Sequence, residues 1–120
     1  MARVMIVDDS LFMRNHVAKV LNQYGYDAVM AESGEEALGL YRQGAPDVVL
    51  MDITMPGKDG LETLLDIRRL DPSARVIMLT ALGQTAAANQ AMRDGAKDFL
   101  VKPVSPETLY AALQKVLGVF

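Results

Sequence analysis

The sequence predicts an α/β fold in which five parallel strands are covered by helices on both faces. Three observations carry this. Short apolar runs rich in β-branched residues alternate with stretches of helical periodicity. The alternation repeats βα five times along 120 residues, a length that suits one domain. Most of the apolar runs stop at a polar residue, so polar side chains recur at strand ends.

Val4–Met5–Ile6–Val7 is the first run and stops at Asp8–Asp9. Met13, Val17, Val20, Leu21 and Tyr24 then recur at helical spacing, with Gly25 as the stop. Asp27–Ala31 is a weaker strand, expected nearer a sheet edge. Ser33 with Glu36 three residues on reads as a capping box, opening a helix that ends at Gly44. Val48–Val49–Leu50–Met51 follows and ends at Asp52. Asp59 and Glu62 repeat the capping device ahead of a helix over Leu61–Leu70. Val76–Ile77–Met78–Leu79 ends at Thr80, and a helix over Gln84–Arg93 is closed by Gly95. Phe99–Leu100–Val101 ends at Lys102–Pro103 and, like the other strong runs, is expected to be buried on both faces. Ser105, Pro106 and Glu107 supply an N-cap, a first-turn proline and a favourable charge. Leu109, Leu113, Val116 and Leu117 make the buried stripe of that last helix. Right-handed crossovers bring the carboxyl ends of all the strands to one edge, where open sheets of this kind bind ligands.

Composition excludes several classes. Hydrophobic residues at 51% and charged residues at 22% argue against disorder. The absence of cysteine rules out disulfides and thiolate metal sites. His16 is the single histidine and cannot build a histidine cluster; beside the apolar stripe, with no supporting acid, it reads as a surface residue. A net charge of −3 and a pI near 5.0 weaken any case for direct nucleic-acid binding. No apolar run approaches the ~20 residues of a membrane span. Met1–Ala2–Arg3 leads into a strand rather than a signal peptide, so a cytoplasmic protein is expected. The scattered methionines read as core filler.

Four strand ends carry complementary chemistry: Asp8 and Asp9, Asp52, Thr80, and Lys102. Singly, each is unremarkable, since aspartates cap helices and a lysine is most often solvated. In a 2-1-3-4-5 strand order the first and third strands are neighbours, and the three carboxylates meet. Two carboxylates ~4 Å apart repel by about 4 kcal/mol at an effective dielectric near 20, so the group calls for a counter-charge. Oxygen ligands without sulfur or histidine select a hard cation, Mg²⁺ above others. A carboxylate beside Mg²⁺, a lysine and a threonine hydroxyl suits a nucleophile for phosphoryl transfer.

Val7–Asp8–Asp9–Ser10, Met51–Asp52–Ile53–Thr54–Met55–Pro56 with Asp59–Gly60, Leu79–Thr80–Ala81 and Ala96–Lys97–Asp98–Phe99–Leu100–Val101–Lys102–Pro103 together resemble the receiver domains of two-component response regulators. The resemblance covers the whole chain. It implies a doubly wound, flavodoxin-like (βα)5 fold in strand order 2-1-3-4-5, and one receiver domain over residues 1–120 with no output domain. It implies that Asp52 accepts the phosphoryl group. Asp9 would ligate Mg²⁺ directly, Asp8 largely through water, and Thr54 through its backbone carbonyl, with Asp52 completing the metal set. Lys102 would contact the phosphoryl group and Thr80 would swing toward it. Phe99 resembles the aromatic partner that turns inward with Thr80, where chemotaxis receivers commonly carry tyrosine; a core or edge aromatic is the other reading. Lys102–Pro103 corresponds to the family's cis peptide.

Phe12–Met13–Arg14, the Asp52–Pro56 run and Leu82–Gly83–Gln84 look most like stand-alone chemotaxis receivers of the CheY kind. That likeness implies a CheA-like histidine kinase as donor, a protein output target such as a flagellar motor switch or another effector, and a phosphatase. It also implies a monomer that contacts neither nucleic acid nor membrane and catalyses only its own phosphorylation and slow dephosphorylation. The alternatives are a receiver cut from a longer DNA-binding or enzymatic regulator, and an aspartyl-nucleophile phosphatase. The latter usually carries a second acid two residues after the nucleophile, where this chain has Thr54.

Overall fold

Consecutive aliphatic residues leave a strand with no polar face, so each such run needs cover on both sides. The computed structural model describes residues 2–118 and supplies that cover. The expected ends of the domain at Met1 and Phe120 lie outside the described residues. The elements are β1 (Arg3–Val7), α1 (Leu11–Gln23), β2 (Asp27–Ala31), α2 (Gly34–Gln43), β3 (Val48–Asp52), α3 (Gly60–Leu70), β4 (Val76–Thr80), α4 (Thr85–Arg93), β5 (Asp98–Val101) and α5 (Pro106–Leu117). The strands form one parallel sheet in the order β2-β1-β3-β4-β5, as expected.

Strand side chains alternate between faces, and the alternation builds two cores. Val4, Ile6, Leu50, Ile77 and Leu79 face α1 and α5, where they meet Val17, Leu21, Leu109 and Leu113. Met5, Val7, Met51, Val76 and Met78 face α2, α3 and α4, where they meet Leu38, Leu64, Ile67, Ala88 and Ala91. The register pairs Val7 with Met51 and Asp52 with Leu79, so the carboxyl ends of β1, β3 and β4 finish side by side.

Local signals position the helices, with four departures from expectation. α3 carries a full capping box: the Asp59 carboxylate accepts from Glu62 N–H at 2.9 Å and the Glu62 carboxylate accepts from Asp59 N–H. At α2 only half of the box forms. Ser33 Oγ accepts from Glu36 N–H at 3.1 Å, but the Glu36 carboxylate accepts from Glu32 N–H at 3.0 Å rather than from Ser33 N–H. α4 begins at Thr85, with Gln84 at the N-cap and its side chain directed elsewhere. Tyr24, counted in the helical spacing of α1, lies one residue past its end: it stands at the C-cap and stacks on Tyr110, ring centroids 4.2 Å apart. β5 is an edge strand, only half-buried, with Val101 42% exposed. Its composition resembles that of the central strands; its place at the end of the sheet removes one neighbour.

Candidate functional site

The turn out of β1 orients the first carboxylate. Asp8 N–H extends the ladder to Ala31 O at 3.1 Å, and the Asp8 Oδ1 accepts from Ser10 N–H at 2.9 Å. Ser10 is itself the N-cap of α1, its hydroxyl accepting from Met13 N–H at 3.3 Å. Asp8 is thereby buried at the edge while Asp9, the next residue, is exposed. Asp52 ends β3, also buried, with Thr54 N–H donating to its Oδ1 at 3.4 Å. Carboxylate oxygens of Asp8, Asp9 and Asp52 lie within 4.8 Å of one another.

Lys102 supplies the counter-charge. Its backbone N–H donates to Thr80 O at 2.7 Å, which fixes the end of β5 against β4, and the Lys102–Pro103 peptide is cis. The Lys102 ammonium lies 3.1 Å from Asp52 Oδ1 and 3.5 Å from Asp8 Oδ2. Burial pushes the Asp52 carboxyl above its ordinary value; hydrogen bonding and charge attraction from Lys102 oppose that, and the Asp8 charge adds to it. One cation beside three carboxylates leaves net negative charge in a half-enclosed pocket. Oxygen donors at this spacing fit a hard divalent cation, which commonly takes one or two carboxylates and keeps water or phosphate in its other positions.

Thr80 ends β4 on the same side of the sheet as Phe99, which pairs with Met78 across the ladder. Phe99 is half-buried and packs against the core on the α2–α4 face. The Thr80 hydroxyl donates toward Ala81 O at 3.2 Å and Gln84 Oε1 at 3.1 Å. The sheet edge thus brings together Asp8, Asp9, Asp52, Thr80 and Lys102, with Thr54 on the adjoining loop. His16 is exposed on α1 and its ring lies parallel to that of Phe12, centroids 6.4 Å apart.

Sequence reasoning gave no role to two residues here. Arg14 is buried; its Nη1 donates to Asp8 O at 2.6 Å and its Nη2 lies 4.0 Å from Glu32. The signal was present, since Arg14 falls in register with Val17 and Leu21 on an otherwise apolar stripe. Gln84 bridges two loops: its Oε1 accepts from Ala81 N–H at 2.8 Å and its Nε2 donates to Thr54 Oγ1. Nothing in spacing or composition marks it. Beside the acidic pocket, an apolar hollow of about 220 Å³ runs between α1 and the β5–α5 connection, lined by Phe12, His16, Val17, Leu79 and Pro103, with Lys102 at its border.

Residues 4–114 match the family model for the response regulator receiver domain. The chain is 44% identical over 115 residues to the chemotaxis protein CheY of Thermotoga maritima, covering 95% of this chain and 96% of that protein. A receiver domain from Clostridium thermocellum superposes with a TM-score of 0.94 at 29% identity, over 98% of this chain and 95% of the other. The complex of CheX with CheY, BeF₃ and Mg²⁺ from Borrelia burgdorferi matches with a TM-score of 0.90 at 36% identity, over 96% of this chain and 88% of that one. NtrX from Brucella abortus matches at 32% identity with a TM-score of 0.93, over 98% of this chain but 27% of its own length.

Proposed function

This chain belongs to the response-regulator receiver domain family, and from that premise we propose that it is a signalling switch whose input is phosphorylation of Asp52. One observation carries the reading: Lys102 lies within 3.1 Å of Asp52 and 3.5 Å of Asp8, so a nucleophilic carboxylate, a second acid and a fixed cation converge from three strands. In the transfer, an Asp52 oxygen attacks the phosphorus of a phosphohistidine. The P–N bond breaks, the imidazole leaves with that electron pair, and an acyl phosphate forms on Asp52. Lys102 pairs with the phosphoryl oxygens. Asp8, Asp9, Asp52 and the Thr54 carbonyl are the residues that would hold Mg²⁺. When bound, it offsets the charge of the carboxylates and of the transferring group. Thr80 donates its hydroxyl to the product, and the Ala81–Gln84 loop follows. Phe99, on the same side of the sheet, transmits that movement to the α4–β5–α5 face. The device is a two-state population shift biased by covalent charge.

Similarity to CheY over nearly the whole chain supports a stand-alone chemotaxis regulator. Its donor would be a CheA-like histidine kinase and its target a flagellar motor switch or another effector. A CheX-type phosphatase is supported by the likeness to the Borrelia burgdorferi complex. Exposed Leu11, Phe12 and Leu82 rim the acidic edge and supply apolar contact area for such proteins. The likeness to CheY proteins supports a cytoplasmic regulator acting as a monomer; among the described residues no helix is long and apolar enough to cross a membrane. The NtrX match favours a second reading, a receiver taken from a longer regulator, which the length of the gene decides.

Asp52→Asn should abolish labelling by acetyl phosphate in the presence of Mg²⁺; labelling of the variant at the parent level overturns the assignment. Lys102→Ala should still be labelled but should fail to signal, read as effector binding after phosphorylation. An unchanged response removes Lys102 from the switch.

A further inference from the structure

The Thr80 hydroxyl has one proton to donate. Two acceptors lie within its reach, Gln84 Oε1 at 3.1 Å and Ala81 O at 3.2 Å. The same Gln84 oxygen accepts the Ala81 N–H at 2.8 Å, so it serves both the last residue of β4 and the first residue of the β4–α4 loop. The other end of the amide donates across the pocket mouth to the Thr54 hydroxyl, on the loop that follows β3. Gln84 spends none of this capacity on its own helix: it occupies the N-cap of α4 yet makes no side-chain capping bond. An N-cap glutamine that leaves its helix uncapped while bridging two catalytic loops is accounted for by the bridge.

We propose that Gln84 is a positioning residue that latches the resting state. Its amide oxygen holds the Thr80 hydroxyl in a hydrogen bond and its amide nitrogen ties the β4–α4 loop to Thr54. Thr80 cannot give its proton to a phosphoryl oxygen while Gln84 keeps it. Loop movement toward Asp52 therefore requires Gln84 to release Thr80, Ala81 and Thr54 together. The latch sets the fraction of molecules that are competent before phosphorylation, and so the concentration at which a phosphoryl group closes the switch. This inference rests on the receiver reading above and adds to it a residue that opposes closure.

The test uses beryllofluoride, a phosphoryl mimic, titrated in saturating Mg²⁺ and followed by the amide resonances of Thr80, Ala81 and Gly83. The variants are Gln84→Ala and Gln84→Met; the second keeps side-chain length without the amide. Losing net hydrogen bonds of ordinary strength should lower the half-saturating beryllofluoride concentration about five- to thirtyfold in both. With Mg²⁺ alone, the loop resonances of both variants should move along the line that joins the resting and beryllofluoride-bound positions of the parent. Mg²⁺ affinity should stay within about twofold, because Gln84 touches none of the three carboxylates and meets Thr54 at its side-chain hydroxyl, not at the carbonyl that would hold the metal. Half-saturation equal to the parent's in either folded variant overturns the latch, and so does a change in Mg²⁺ affinity as large as that for beryllofluoride. A parent protein that fails to bind beryllofluoride overturns the receiver reading itself and the latch with it, a result that an unchanged midpoint does not resemble.

Discussion

Burial raises the pKa of the Asp52 carboxyl, Lys102 opposes the rise, and the Asp8 charge reinforces it. A carboxyl that holds its proton more tightly when folded than when unfolded adds stability below its unfolded pKa. That contribution is lost as pH rises through the folded value. At neutral pH the ionised Asp52 therefore weighs against the metal-free fold. Asp52→Asn keeps the shape and removes the charge, so it should raise the melting temperature of the metal-free protein at neutral pH by a few degrees. The gain should shrink as pH falls through the ordinary aspartate range. Thermal melts in a chelator between about pH 4 and pH 8 check this; a gain that grows toward acid would reverse the sign of the argument. Asp8, Asp9, Asp52, Thr80 and Lys102 were legible in the sequence because parallel strands deliver their end residues to one edge whatever the side-chain detail. Gln84 was not, because its role depends on where an amide swings across two loops.

The helices show where local chemistry is enough and where packing decides. Gly60 opens α3 and its N–H donates to Ile53 O at 2.8 Å. A Cβ there would stand 2.1 Å from Asp52 O and 2.8 Å from Ile53 Cα, both backbone atoms that cannot step aside. Gly39 lies within α2, and a Cβ there meets nothing within 4 Å. Gly60→Ala should therefore cost about 1–3 kcal/mol and impair Asp52 labelling by displacing the end of β3. Gly39→Ala should stabilise by about 0.5–1 kcal/mol and leave labelling unchanged. Urea melts with an unchanged m-value separate the two; equal effects would mean that backbone entropy alone governs both sites. The same division explains the sequence reading. The Asp59–Glu62 box was legible because its partners lie within one turn. Half of the Ser33–Glu36 box was not, because Glu36 turned back to Glu32. The exposure of β5 was not legible either, since an edge is made by topology and not by the residues of the strand.

At the scale of the whole molecule, the acidic pocket exists only while the sheet does. Asp8 and Asp9 come from β1 and Asp52 from β3, and the pairing of Val7 with Met51 brings them together. An unfolded chain scatters these carboxylates, so a cation that binds all three binds the folded state alone, and its affinity becomes folding stability. The three charges repel in the metal-free protein and attract it once present, so both effects favour the bound form. Mg²⁺ at a hundredfold excess over its dissociation constant should raise the unfolding free energy by about 2.7 kcal/mol. Both cores flank β1 and β3, so the shift should move the entire unfolding transition rather than one part of it. Asp9 separates this linkage from packing, because its side chain is exposed and belongs to neither core. Asp9→Ala should melt in chelator no earlier than the parent, yet lose most of the Mg²⁺ increment. Urea titrations with and without Mg²⁺ decide the matter. A parent indifferent to Mg²⁺ removes the metal from the site, and an Asp9→Ala protein that keeps the full increment removes Asp9 from the ligand set.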